Sequence, residues 1–288
     1  MAKSHKKRNL GSQAQRPKGS KTPPSKAGKA GSTSSTTSAN ISQRSPLKPT
    51  IPFSPEDRIL LIGEGDFSFA LSIQTHHFVE VLAATSYEPS AEAVCDKYPQ
   101  AASHTAELEA GGATVLYGVD ARKLGKRKEI RKPSSHGNED NSQGAWDRII
   151  WNFPHTGGVT KDVNRQVRAN QELLVAFFKA AMPLLRSEGT IIVTLFEGDP
   201  YTLWNIRDLA RHVGLSVARS FKFQADAYPG YKHARTLGNI EGGGGWKGES
   251  RSARSYIFQL SDSNGAQRST IPKRKRKKGD DASSDEDV

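Results

Sequence analysis

An α/β fold built on an open, doubly wound, mostly parallel seven-stranded sheet is what this sequence predicts, and three observations predict it. Strand-like and helix-like patterns alternate through the middle of the chain. Several strand runs are continuously apolar, as strands covered on both faces are. The first run leads through Gly63-Glu64-Gly65 straight into a helical pattern, the junction expected where a parallel sheet meets its first crossover helix.

Taken in order, the first strand is Arg58–Gly63, followed by a helix over Asp66–Gln74 and a second strand over Val79–Ser86. Ser90–Tyr98 reads as the next helix and Ala113–Val119 as the third strand. Trp146–Asn152 is the fourth strand. The long helix Asn164–Leu185 comes next, with Leu173, Leu174, Phe177, Phe178, Ala181 and Leu185 at three- and four-residue spacing marking the face laid on the sheet. Strand Gly189–Phe196, helix Thr202–Val213 and strands Leu215–Phe223 and Ala253–Leu260 complete the order. No helix separates the last two strands, so the final strand is expected to enter antiparallel. Polar residues 125–145 read as an exposed insertion. Residues 224–249, with four consecutive glycines at Gly242 to Gly245, form a loop too long to be a simple connection.

Composition places one domain at about residues 53–262 between two disordered tails, 1–52 and 263–288. Residues 1–50 hold eleven Lys and Arg and no acid, and almost no large apolar side chain that would offset the entropy of ordering. The net charge of +12 resides in the tails, because residues 51–260 carry 24 basic and 24 acidic side chains. A polyanion partner is implied, held by tails rather than by a large basic face on the domain. Lys6-Lys7-Arg8 and the run Lys273 to Lys278 are candidates for a nuclear import receptor or RNA, and Ser283 and Ser284 sit among acids as candidate phosphorylation sites. The single cysteine, Cys95, excludes an internal disulfide and a cysteine-based zinc cluster. No apolar run reaches membrane-spanning length and no secretory signal opens the chain, so a soluble intracellular protein is expected, with no membrane partner and no metal. The oligomeric state is not encoded in any pattern.

The chemistry gathers where strands end. Gly63, Glu64, Gly65, Asp66, Phe67 and Ser68 form the glycine turn and helix start, where free amides and close backbone approach suit a nucleotide cofactor. Glu64 and Asp66 would repel the pyrophosphate of a dinucleotide but suit the ammonium and sulfonium of S-adenosyl-L-methionine. Asp66 as a plain helix cap is the competing reading. Glu88, at the end of the second strand, is placed to accept from both ribose hydroxyls, and Asp120, after the third, from the adenine amino group. The fourth strand runs out into Asn152, Phe153, Pro154 and His155, which resembles the turn with which nitrogen-directed nucleic-acid methyltransferases hold a flipped base. His155 stands where that turn usually has an aromatic side chain, which adds a possible proton acceptor. Tyr228, Tyr231, Lys232, His233 and Arg235 combine stacking surfaces with cations, as sites for unpaired RNA do, and read as a lid over the base.

Together the segments Gly63 to Phe69, Asn152 to His155 and Tyr228 to Thr236 resemble the eukaryotic 25S rRNA (uridine-N(3))-methyltransferase family over about residues 57–260. The resemblance implies a Rossmann-like class I methyltransferase fold, S-adenosyl-L-methionine as cofactor, large-subunit rRNA or pre-ribosome as substrate, and a nucleolar location within the nucleus. The acid that methyltransferases often place two residues before the first glycine is absent, since Leu61 stands there, so contacts to the sulfonium end fall to Glu64 or Asp66. The expected mechanism has Asn152 and the backbone of Phe153 and Pro154 orient the base, while His155 or His233 takes the N3 proton or bonds the flanking carbonyl oxygens. A methyltransferase for another RNA nucleotide, a non-catalytic RNA-binding or assembly protein on the same fold, and a dinucleotide enzyme are the competing readings.

Overall fold

The apolar runs pair as seven strands of one sheet in a computed structural model that describes residues 48–131, 144–157, 162–236, 238–239 and 248–261. The strands are β1 (Arg58–Ile62), β2 (Val81–Thr85), β3 (Thr114–Leu116), β4 (Trp146–Asn152), β5 (Leu185–Phe196), β6 (Leu215–Phe223) and β7 (Ala253–Leu260). Their spatial order is β3-β2-β1-β4-β5-β7-β6. The first five strands run parallel, and β7 inserts antiparallel between β5 and β6. This order reverses at β1 and β4, so the carboxyl ends of those two strands open a crevice, the place where an open α/β sheet holds its ligand.

Among the described residues six α-helices accompany the sheet: α1 (Ser68–His76), α2 (Ala91–Lys97), α3 (Ala101–Ala110), α4 (Lys128–Arg131), α5 (Val163–Ala181) and α6 (Ile206–His212). Alternation along the buried strands divides the core in two. Ile59, Leu61 and Ile73 belong to the layer beneath α1, α2 and α3, and Leu60, Ile62, Phe177 and Phe178 to the layer beneath α5 and α6. Each side chain on β1 therefore packs on the face opposite its neighbour's, as the period of two requires.

The sequence reading misses α3, whose only buried residues are Ala101 and Leu108, too few to write a helical stripe. It carries the long helix to Leu185, whereas α5 ends at Ala181 and a 3-10 turn covers Met182–Leu184, because Pro183 has no amide hydrogen to continue the ladder. The expected helix over 202–213 is a 3-10 turn (Tyr201–Trp204) and α6, broken at Asn205, whose φ is 49°. The insertion placed at 125–145 is corrected in its first part. A 3-10 segment over Ala121–Lys126 and α4 pack back on the sheet, with Leu124 and Ile130 fully buried and the Trp146 indole donating to the Ile130 carbonyl at 2.7 Å. Residues 1–47, 132–143 and 262–288 and Gly242 to Gly245 lie outside the described residues, whereas Ile51, placed by the sequence reading in the basic tail, packs against the core. Among the described residues no helix is long and apolar enough to cross a membrane, and no group of side chains is arranged to hold a metal.

Candidate active site

A cleft of about 910 Å³ opens at the carboxyl ends of β1, β2 and β4. Gly63 begins its floor with a φ of 66°, and a side chain there would stand 2.8 Å from the Trp151 indole nitrogen, so both conformation and space require glycine. The Glu64 amide is tied to the Thr85 carbonyl on β2 at 2.7 Å, which fixes the loop to the sheet. Gly65 answers a different need from the one expected. A Cβ on it would meet the Ala234 Cβ at 2.8 Å, so its bareness admits the 231–236 segment against the loop.

The two loop acids are not equivalent. The Asp66 carboxylate is buried, accepting from the Ser68 amide at 3.0 Å and the Gln100 side chain at 3.0 Å, so both its oxygens serve the protein. The Glu64 carboxylate accepts from the Ala70 amide at 3.2 Å, and its burial, with Asp66 adding a like charge, pushes its pKa up to about 8. Glu88 lines the cleft and pairs with Lys97 at 2.6 Å; Asp120 lines it and is gripped by Arg122 at 2.9 Å, which holds the carboxyl below its usual range. Phe67 does not reach the cleft. It is fully buried, with φ 62°, and packs edge-on against Tyr117, so its expected place among cofactor contacts is corrected to the core.

At the end of β4 the chain leaves the sheet with the Phe153 amide donating to the Thr194 carbonyl at 2.8 Å, so that amide is not available to a base. Phe153 has φ 53° before a proline, a combination sterically disfavoured and held by its surroundings. Its ring packs on Phe196 and meets the His233 ring edge-on at 4.4 Å. Pro154 is buried behind the turn and does not line the cleft. The Asn152 amide nitrogen is buried in the cleft wall without a hydrogen-bond partner among the described residues. A primary amide so placed is normally satisfied, and its exception inside a cleft marks a donor kept for a ligand.

Both histidines line the cleft and are kept neutral at pH 7. Burial lowers the pKa of His155, and burial takes His233 down to about 4, against the opposing pull of Glu249 and with Arg251 adding to the depression. His155 Nδ1 accepts from the Gly157 amide at 2.9 Å, so the neutral ring carries its hydrogen on Nε2 and presents a donor. His233 Nδ1 is 3.0 Å from the Tyr231 hydroxyl. Where the ring donates to Tyr231, its Nε2 is a lone pair; where Tyr231 donates, Nε2 carries the hydrogen.

The 228–239 segment is a strap rather than a free lid. Ser68 Oγ both accepts from the Lys232 amide and donates to the Lys232 carbonyl, each at 3.1 Å. Tyr98 donates to the Arg235 carbonyl, and the Asn239 amide donates to the Lys97 carbonyl at 2.9 Å. The expectation that Tyr228 stacks on RNA is corrected: it is buried, stacked on Phe223 at 5.4 Å and packed against Phe69 and His77. Tyr231, Lys232 and His233 do line the cleft, and Arg235 stands beside it without lining it.

Residues that sequence patterns did not single out complete the site. Trp151 forms its floor, Asn170 accepts from the Thr156 amide at 2.9 Å, and Gln166 donates to the Thr156 hydroxyl at 2.7 Å, pinning the 152–157 turn to α5. Asn170 carries a legible signal, a polar residue on the apolar face of a helix. Gln100 carries none, since its partners Asp66 and Asn239 are distant in sequence.

Comparison with known proteins decides what this geometry belongs to. The family model described as rRNA (uridine-N3-)-methyltransferase BTM5-like matches residues 60–235, more than half of the chain and the stretch that contains nearly every cleft residue named above. The chain belongs to this family. It is similar to the 25S rRNA (uridine(2634)-N(3))-methyltransferase of Saccharomyces cerevisiae, 34% identical, with 82% of this chain and 81% of that protein covered. It is also similar to heavy metal-associated isoprenylated plant protein 41 of Arabidopsis thaliana, 34% identical over 64% of this chain but spanning only 34% of that protein. Among solved structures, TrmN from Thermus thermophilus aligns with a TM-score of 0.42 and 14% identity, over 72% of this chain and 45% of that one. As a member of the rRNA (uridine-N3-)-methyltransferase family, the protein is an S-adenosylmethionine-dependent methyltransferase on a Rossmann-like fold. The lining is compatible with that cofactor: the carboxylates Glu88 and Asp120, the apolar Val119 and Ala121 on either side of Asp120 in the chain, and acids rather than cations in the glycine loop all line the cleft.

Proposed function

We propose that the protein methylates N3 of a uridine in large-subunit rRNA, with the uracil held in the cleft between the Asn152 to His155 turn and the strap. The observation that carries this reading is the Asn152 amide nitrogen, buried in the cleft wall without a partner among the described residues. A uracil carbonyl oxygen supplies the missing acceptor.

S-adenosylmethionine, when bound, supplies an electrophilic methyl group. Glu88 and Asp120 would hold its adenosine and Glu64 its ammonium, the ion pair repaying the desolvation that keeps Glu64 protonated in the free protein. The residues of this chain do the remainder. Asn152 and the Nε2 hydrogen of His155 donate to the two uracil carbonyl oxygens that flank N3, which fixes the ring and stabilises negative charge spreading from N3. His233, in the tautomer whose Nδ1 donates to Tyr231, takes the N3 proton as the nitrogen–carbon bond forms. In this reading the two histidines divide the roles that sequence left to either. Phe153 and Phe196, packed on the His233 ring, keep water from it. Tyr231 and Lys232 contact the nucleotide from the strap. Nucleolar residence, with import through the basic tails, accompanies this reading.

The test is mass spectrometry of nucleosides from large-subunit rRNA of cells with and without the protein. Loss of 3-methyluridine, restored by wild type but not by Gly63→Arg/Gly65→Arg, supports the reading. An unchanged nucleoside profile in cells confirmed to lack the protein refutes it, and loss of a different methylated nucleoside redirects it to another RNA position.

A further inference from the structure

The formal neutrality of the domain conceals an uneven distribution. Residues 120–131 hold six cations against two acids, Asp120 and Glu129. Asp120 is already engaged by Arg122 at 2.9 Å and Lys123 at 3.8 Å, and Glu129 is exposed. The 3-10 segment and α4 fold this stretch against the carboxyl-terminal half of α5, and a second concavity of about 510 Å³ lies between them. Arg122, Lys123, Lys126, Arg131 and Lys179 line it, all five exposed, over a floor that includes Ala145, Ala180, Pro183 and Leu184. Among the described residues no carboxylate lines it.

This groove is continuous with the active-site cleft in two ways. Arg122 lines both. On α5, Ala169, Glu172, Leu173 and Ala176 line the cleft, while Lys179 and Ala180 line the groove, joined by Pro183 from the 3-10 turn that follows. These positions are three and four residues apart, so they form one helical stripe. At 1.5 Å per residue, Lys179 stands about 10 Å along the helix from Glu172. Glu172 is the acid at the junction, and beyond it the stripe meets only cations and small apolar residues.

We propose that this groove is the docking surface for the phosphodiester backbone of the RNA that flanks the target nucleotide. The inference rests on the reading that the substrate is RNA, and adds where its backbone runs. A chain of phosphates leaving the cleft along α5 meets the five cations in succession. Small floor residues let the backbone approach, and the absence of aromatic side chains among the described lining residues fits phosphate contact rather than base stacking. Contacts of this kind fix register and strengthen binding without reading sequence.

The experiment compares the full-length wild type with Lys126→Ala/Arg131→Ala/Lys179→Ala and with the charge-preserving Lys126→Arg/Arg131→Lys/Lys179→Arg. None of these residues lines the cleft. Binding of a fluorescein-labelled 20-nucleotide single-stranded RNA is measured by anisotropy across a salt series, and methyl transfer by incorporation from tritiated S-adenosylmethionine into large-subunit rRNA from cells lacking the protein. With about 0.7 counterion released per phosphate contact, loss of three cations lowers the salt slope by about 2 and affinity at 0.1 M salt by about 100-fold. The expected result is that loss in the alanine variant, its rescue in the charge-preserving one, a raised KM for rRNA, and unchanged affinity for S-adenosylmethionine. An unchanged slope and affinity in the alanine variant overturn the proposal, even where wild type methylates rRNA and the proposed function stands. Tighter binding of a poly-glutamate peptide than of RNA of equal charge also overturns it, in favour of an acidic protein partner. If wild type binds RNA through the groove but transfers no methyl group to rRNA, the groove stands and the proposed reaction falls.

Discussion

His233→Gln separates two properties that the structure combines in one ring. Burial holds the His233 pKa at about 4, against 6.5 in an unstructured chain. As pH falls below 6.5, the unfolded chain takes up a proton that the folded ring refuses, so folding loses free energy, and the loss is complete only below about 4. A single site with these two values costs wild type about 2 kcal/mol at pH 5 and about 3 kcal/mol at pH 4 relative to pH 7. Glutamine does not titrate and keeps a polar side chain of similar reach. The variant has its own packing offset, constant with pH, while titrations at Glu64 and other groups occur in both proteins and cancel in the difference.

The assay is urea unfolding of both proteins at pH 7, 6, 5 and 4.5, with the pH dependence of the stability difference as the readout. Wild type should lose stability relative to the variant by about 2 kcal/mol on going from pH 7 to pH 5. A difference constant to within about 0.5 kcal/mol over that range would show that the ring is not held neutral by burial, and the argument from desolvation would fail. The same variant tests the catalytic role through kcat. Loss of a general base costs about 10²- to 10⁴-fold, and an unchanged kcat with unchanged affinity for both substrates would remove His233 from proton transfer.

Four further outcomes are expected. Asn152→Ala should lower methyl transfer about 10²- to 10³-fold while changing the melting temperature little, because its amide nitrogen gives up no protein hydrogen bond; a large fall in melting temperature with normal kcat would contradict this. Glu64→Gln should abolish proton release on S-adenosylmethionine binding, which calorimetry in buffers of different ionisation enthalpy should find at pH 7 as about 0.9 proton for wild type, the fraction bound to a group with pKa about 8. Gly65→Val should destabilise by about 1–3 kcal/mol through overpacking on Ala234, and Ala234→Gly in the same chain should recover part of that loss in thermal melts. Asn170→Ala strands the Thr156 amide and should cost about 1–3 kcal/mol together with a lower kcat, and Asn170→Asp, whose second oxygen would face the Gln166 carbonyl to which the amide now donates at 2.9 Å, should not restore stability; unchanged melting temperatures in both variants would contradict this.

What was legible in the sequence is what local periodicity and strand-end chemistry write. Strands buried on both faces betray themselves as apolar runs, and the glycine turn, Glu88 and Asn152 fall at or just beyond strand ends, so the crevice follows once the strands are ordered; Asp120, read as ending the third strand, lies four residues past β3 and caps the 3-10 segment instead. The role of Gly65 was not legible, because its neighbour Ala234 lies 169 positions away and arrives only when the strap closes. The same holds for Ser68, which reads as a helix-start residue near a cofactor and is in fact the latch on Lys232, 164 residues on. Tyr228 and Tyr231 look alike in sequence, two aromatics three apart; the packing of Phe53, Phe69, His77 and Phe223 around the first takes it into the core and leaves the second on the cleft.

Charge shows most clearly why composition alone falls short. A count over residues 51–260 gives zero, and on that count the domain has no basic face. Counting weighs every charge equally, whereas screening over about 8–10 Å makes only near neighbours matter. Asp147 and Asp57 pair with Arg186 and Arg148, and Glu197 pairs with Arg254. Asp66 is consumed inside the protein, and Glu64 is held protonated at pH 7 by burial. Acids in those places cannot offset cations in the groove beside α5. The field an RNA strand meets is therefore set by which acids the fold has already used, and that is decided by tertiary contacts that no window along the chain contains.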